Sequence, residues 1–219
     1  MTASLKIYVV LCSIFCTIIV TGNLIFQKFI IITIFSSVME ISVGVLLFPI
    51  TFLISDLVTE FYGKKASQLM IKIAVLCSLM IFGLVMVADY CPATSWSTVD
   101  DVTFHKVFNV YGVSALASIL ANYCGQWIDI YIFAYLKNMT NGRYLWFRNN
   151  VSTIVGQAVD TLIVVYILSL FEIVPSAQFM IIFLSSFSFK VLAALADTPF
   201  CYLGYYLMRM ARASSDNVT

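Results

Sequence analysis

Six long apolar runs decide what this chain can become. They fall at about residues 5–27, 44–61, 67–88, 106–136, 150–171 and 178–210, separated by short polar joints. A helix needs about 20 mostly apolar residues to cross the hydrocarbon core of a bilayer, and every run is near or above that length. In lipid each backbone N–H and C=O has to be satisfied within its own segment, so runs of this kind fold as spanning helices. The expected fold class is an all-α integral membrane protein. Its bundle of six transmembrane helices forms one domain over residues 1–212, and a short polar tail follows at 213–219.

Composition agrees. Of the 219 residues 62% are hydrophobic and only 11% charged, whereas soluble domains carry about 25% charged residues. No length remains for a soluble catalytic domain, and a net charge of +1 gives no basic footprint for a nucleic-acid partner. Cys12, Cys16, Cys77, Cys124 and Cys201 lie inside apolar runs and Cys91 in a loop, without a CxxC pair; they read as small packing residues, not as a disulfide frame. The first run, behind Lys6, mimics a signal peptide. It leads into TGN and then Gln27 and Lys28 rather than a small-residue cleavage site, so a retained first helix is expected. The piece at 29–43 fits none of this: its FIIITIF run is β-branched, too short to span, and bracketed by Lys28 and Glu40. A re-entrant or interfacial hairpin and an extension of the first helix both stay open.

Basic residues orient the bundle. Lys6, Lys64, Lys65, Lys137, Arg143, Arg148, Arg209 and Arg212 fall on one side of a six-span layout. The other side has Lys28 and Lys106 with Asp89, Asp100, Asp101 and Glu172. Both termini are therefore expected in the cytoplasm.

The fifth run opens as RNNVSTIVGQAVDT at 148–161, which sets Asn149, Thr153, Gln157 and Asp160 on one helical stripe beside Gly156. An ionisable group deep in a span is costly and turns to a bundle interior or a watery cavity. Ser118, Asn122, Gly125 and Asp129 make a similar stripe in the fourth run, with Gln126 beside it. Ser186, Lys190, Ala193 and Asp197 make another in the sixth. Ala117, Ala121 and Gly125 add a small-residue face for close helix approach. Lys190 and Asp160 sit at similar depth, so a pair between neighbouring helices would neutralise both. Such a pair can tie two helices in register or form part of a site. Asp56, Asp129, Asp160 and Asp197 outnumber this one embedded lysine. The surplus has to be protonated, hydrated or matched by something brought in, which suits a cationic or donor-rich solute, or proton coupling.

Asp56 and Glu60, four residues apart, sit together near the inner end of the second helix. They are expected to cap that end or to pair with Lys64 and Lys65, since two carboxylates without a histidine make an incomplete metal set. Trp127, Tyr131, Phe133 and Tyr135 around Asp129 read either as an interfacial belt or as stacking faces for a planar ligand. No metalloprotease motif, complete phosphate loop or nucleophile–histidine pairing appears, so no catalytic residue, cofactor or metal is expected.

Four stretches together resemble the queuosine-precursor transporter family, once filed among vitamin uptake transporters. They are FPITFLISDLVTEFYGKKAS at 48–67, GQWIDIYIF at 125–133, RNNVSTIVGQAVDT at 148–161 and FKVLAALADTP at 189–199. They come in the family's order; residues 5–43 match loosely, through Asn23 and Lys28. The resemblance implies a six-helix importer in the bacterial inner (plasma) membrane. Its solute would be a 7-deazaguanine base, either 7-cyano- or 7-aminomethyl-7-deazaguanine or queuine, salvaged for tRNA modification. It points to Gln126, Asp129, Asn150, Gln157, Asp160, Lys190 and Asp197 for substrate binding, and to Asp56 and Glu60 for coupling or gating. Asp129, Asp160 or Asp197 would accept from the base edge, and Asn150 and Gln157 would read its carbonyl side. Lys190 would hold a carboxylate ionised or donate to the base oxygen. The implied fold is similar to the substrate-binding subunits of energy-coupling-factor importers, and an ATPase module and a proton gradient both stay open as energy source. The rival readings are a vitamin or other nucleobase importer subunit, an intramembrane enzyme using Asp56 with Asp129 or Asp160, and a non-transporting scaffold.

Overall fold

The computed structural model describes residues 3–26, 28–34, 37–108 and 111–216. Among them, six helical segments are long and apolar enough to cross a membrane. The elements are α1 (Ala3–Ile25), β1 (Phe29–Ile34), β2 (Ser37–Ser42), a 3-10 turn (Val43–Leu47) running into α2 (Phe48–Tyr62), and α3 (Lys64–Tyr90). Then come α4 (Asp101–Phe108), α5 (Tyr111–Met139), α6 (Leu145–Leu170), a 3-10 turn (Ser176–Gln178) and α7 (Phe179–Asp216). The protein is a multi-pass membrane protein of the expected all-α class.

The piece that fitted no span is a β-hairpin. β1 and β2 pair antiparallel, with Phe29 opposite Ser42 and Ile32 opposite Met39. Ile and Thr at successive positions favour the pleated chain over a helix, and two paired strands satisfy each other's backbone where a lone apolar segment could not. Ser42 fastens the hairpin to α1 by donating its hydroxyl to the Phe26 carbonyl, and accepts from Gly44 N at 3.2 Å. Gly44 lies directly on Gly22, where any Cβ would collide with the Gly22 carbonyl.

Gln27, the expected end of the first span, lies outside the described residues, as do 217–219 of the tail. The fourth run, expected over 106–136, takes in the end of α4 and α5, which continues to Met139. α6 starts at Leu145, so Arg148, expected among the basic loop residues, is buried within the helix. α7 continues to Asp216, carrying the helix into the polar tail.

One end of the bundle gathers the basic residues. α2 and α3 meet through Gly63, whose φ of +84° is a backbone state that L side chains rarely adopt. Tyr62 Oη donates to Ser4 O at 2.8 Å and Tyr8 Oη to Ala66 O at 2.9 Å, so the start of α1 shares this end. At the far end Asp100 caps α4, accepting from Thr103 N at 2.9 Å. The Thr103 hydroxyl first, and that backbone contact second, hold the Asp100 carboxyl below the usual carboxylate range. His105 Nδ1 lies 2.8 Å from Asp89 Oδ2 at the same end.

α5 and α6 form the tightest crossing. A Cβ on Gly125 would sit 2.8 Å from both Asp160 Cβ and Gly156 O, and one on Gly156 would sit 2.8 Å from Gly125 O. Ala117 and Ala121 continue the same buried face. Without a hydrophobic drive between helices in lipid, such close backbone contact supplies the packing. Gly156→Ala should therefore lower the melting temperature in detergent, as overpacking costs about 1–3 kcal/mol. Gly83→Ala, with nothing within 4 Å of its Cβ, should leave it unchanged.

Candidate functional site

Between α6, α7, the start of α2 and the hairpin base lies a cavity of about 530 Å³, within the range of about 300–1,000 Å³ common for small-molecule sites. Its walls are mainly apolar, from Val164, Leu168, Ile181 and Ile182. Polarity comes from Asp160 and Lys190, the Gln178 amide, and the hydroxyls of Ser42, Ser118, Thr161, Ser185 and Ser186. Lys190 Nζ is paired directly with Asp160 Oδ2, and both side chains are buried. The Lys190 ammonium lies 5.3 Å from the centre of the Phe48 ring, which also faces the cavity along with Phe26. A donor and an acceptor thus stand side by side next to aromatic faces, in a mainly apolar pocket that screens them less than bulk water would.

The other sequence-derived residues lie elsewhere. Gln126, Asp129 and Gln157 are buried between helices rather than on the cavity wall. Gln126 Nε2 donates to Thr51 Oγ1 at 3.0 Å. Asp129 faces Ser55 Oγ and Thr153 Oγ1, each at 3.4 Å, and Asp56 lies against it. Asn150 Nδ2 donates to Trp146 O at 2.8 Å and to Thr198 Oγ1 at 2.9 Å, pinning α6 to α7. Asp197, beside that pin, is half-buried and off the cavity wall.

Glu60 departs from the expected pairing with Lys64 and Lys65. Its Oε2 takes Arg148 Nη1 at 2.9 Å and Lys137 Nζ at 3.1 Å, joining α2, α5 and α6. Gly63 turns the chain at the end of α2, so Lys64 starts a new helix and lies 3.8 Å from the centre of the Tyr131 ring. The aromatic residues near Asp129 do not line the cavity either. Trp127, Tyr131 and Tyr135 face outward, while Phe133 is buried with the Arg148 guanidinium 5.1 Å from its ring centre.

Reasoning from sequence missed Phe48, Phe26, Ser42 and the burial of Arg148. Phe48 carried a signal, since it precedes Pro49 in the stretch that starts α2. Ser42 carried none, because its place depends on the hairpin.

Residues 42–204 match a family described as "Putative vitamin uptake transporter". The chain belongs to this family. The matched segment holds every polar cavity residue, from Ser42 to Lys190, together with Asp56 and Asp129. The chain is also 26% identical, over 166 residues, to a "Probable queuosine precursor transporter" of Bacillus subtilis (strain 168); the match covers 74% of this chain and 70% of that one. No solved structure matches. The family description and this relative make the protein a membrane uptake transporter.

Lys190→Met alone would leave Asp160 buried without its partner, which costs about 3–5 kcal/mol. The double change Asp160→Leu/Lys190→Met should restore most of the lost melting temperature but not solute binding. Recovery of both would make the pair a mere tie between helices.

Proposed function

We propose that this protein imports a queuosine precursor across the bacterial inner membrane for tRNA queuosine salvage. The solute is a 7-deazaguanine base: 7-cyano- or 7-aminomethyl-7-deazaguanine, or queuine. The observation that carries this reading is the Asp160–Lys190 pair set beside the Phe48 ring in a cavity sized for a small planar molecule. A deazaguanine edge presents two N–H donors next to a carbonyl oxygen. Asp160 accepts from the donors, Lys190 donates to the oxygen, and the ring lies on Phe48. The relative's name points to the same solute class.

The chain works as one six-helix unit with the basic end, and both termini, in the cytoplasm. The cavity then opens toward the outside, beside the hairpin. Asp56, which an intramembrane enzyme would pair with Asp129 or Asp160, lies off the cavity wall that Asp160 lines, which favours transport over catalysis.

Cells unable to make queuosine, supplied with each base in turn, should show queuosine in tRNA only when this protein is present. Lys190→Glu or Asp160→Asn, at equal membrane levels, should lower that signal roughly tenfold or more, because each strips a partner from a buried charge. Queuosine that appears regardless of the protein would refute the reading. If a vitamin enters the cells in place of the bases, the vitamin reading of the family takes over.

A further inference from the structure

The cavity leaves two buried aspartates, Asp56 and Asp129, unused. Asp56 from α2 and Asp129 from α5 place their carboxyl groups together at the crossing of α2, α5 and α6, each at most 1% exposed. The charged and titratable neighbours that face Asp56 are Asp129, Arg148 from α6, Glu60 from its own helix and Cys201 from α7. Arg148 and Lys137 are both committed to Glu60. Three carboxylates therefore stand against two cations, and one negative charge is left over at the carboxyl pair.

Hydrogen bonding there is equally one-sided. The Ser55 hydroxyl donates to Phe52 O at 2.8 Å, so at 3.4 Å from Asp129 it offers that carboxylate little. Thr153 Oγ1 approaches Asp129 no closer than 3.4 Å, and the Ser152 hydroxyl, which also faces Asp129, donates to Asn149 O at 3.2 Å. Neither oxygen of Asp56 accepts from an N–H or O–H of the described residues. Amide oxygens flank the pair along the same interface: Asn149 and Gln157 lie one turn either side of Thr153, and Gln126 one turn from Asp129. All three are at most 3% exposed, and none of these oxygens has a donor among the described residues. Arg148 Nε and Asn122 Nδ2 are buried donors without a partner among the described residues, but the partnerless acceptor oxygens outnumber them, and with one uncompensated negative charge the interface suits a small cation.

We infer that Asp56 and Asp129 hold one monovalent cation, a proton or Na+, between them at a site separate from the solute cavity. The site's link to import rests on the function proposed above. Geometry supplies the link: Asp129 Cβ would sit 2.9 Å from a Cβ on Gly156, and Asp160 Cβ 2.8 Å from one on Gly125. The cation pair and the solute pair are thus anchored at one rigid helix crossing. Loading or emptying the carboxyl pair alters the charge balance at the crossing that also seats Asp160.

Infrared difference spectra of the purified full-length protein in lipid read the site without any solute. The pH is stepped in the absence of Na+, and NaCl is then added at fixed pH with KCl as the ionic-strength control. A carboxyl signal should respond to pH if the cation is a proton, or to NaCl but not KCl if it is Na+. It should shift or shrink in each of Asp56→Asn and Asp129→Asn and vanish when both are changed. No response, or one left unchanged by both changes together, overturns the site. If either variant fails to reach the membrane, Asp56→Glu and Asp129→Glu, which keep a carboxyl but move it, should each shift the midpoint of the wild-type response about threefold or more, and a midpoint unmoved in both overturns it.

Proteoliposomes given 7-cyano-7-deazaguanine then test the link. The ion that gives the infrared response should, as an inward gradient, raise accumulation about tenfold over no gradient. Accumulation that ignores both gradients overturns the link and leaves the cation site standing. If no base enters under any condition, the import reading fails while the spectra still judge the site.

Discussion

Charge buried in hydrocarbon has to be paired, wetted or turned toward other protein, and the arrangement of this bundle follows from that demand. Lys190 would be costly alone on α7, and Asp160 equally so on α6; brought together, each makes the other tolerable. The geometry that allows this is backbone packing. Gly125 and Gly156 let α5 and α6 touch, which turns the stripe from Asn149 to Asp160 inward and frees Asp160 to meet α7.

Three polar zones stack along the bundle as a result. Toward the hairpin is the cavity, with its ion pair, hydroxyls and Phe48. In the middle, Asp56 and Asp129 face each other among hydroxyls and amides. At the basic end Glu60 binds Arg148 and Lys137 and closes α2, α5 and α6 together. Each zone draws on α2 or α6, so these two helices carry most of the chemistry while α1 and α3 mainly wall the bundle.

The spans were legible because the bilayer imposes one length and one composition on every helix that crosses it. The Asp160–Lys190 pair was legible for the same reason, as two embedded opposite charges at matching depth leave few alternatives. Small residues at 117, 121 and 125 announced the close crossing. The hairpin was only half visible: β-branched residues argued against a helix, but pairing with a second strand is a non-local choice. Glu60's partners were hidden because Lys64 and Lys65 are nearer in sequence, and only the turn at Gly63 shows that they point elsewhere. The stripe on α6 was read correctly as buried, yet sequence could not separate the part that lines a hollow, Asp160, from the part sealed between helices, Gln157. Arg148 was misplaced because a cation at the start of a span usually escapes to water, whereas here Glu60 and the Phe133 face hold it inside.

The central claim is that polar side chains from separate helices converge on a hollow that a solute can enter. Thiol labelling tests it most directly, with Ser186→Cys in a chain whose six native cysteines are replaced. The account predicts that a membrane-impermeant reagent reaches position 186 from the hairpin end, and that a saturating 7-deazaguanine base protects it. A thiol at 186 that stays unreactive, or reacts equally fast with the base present, would contradict the account.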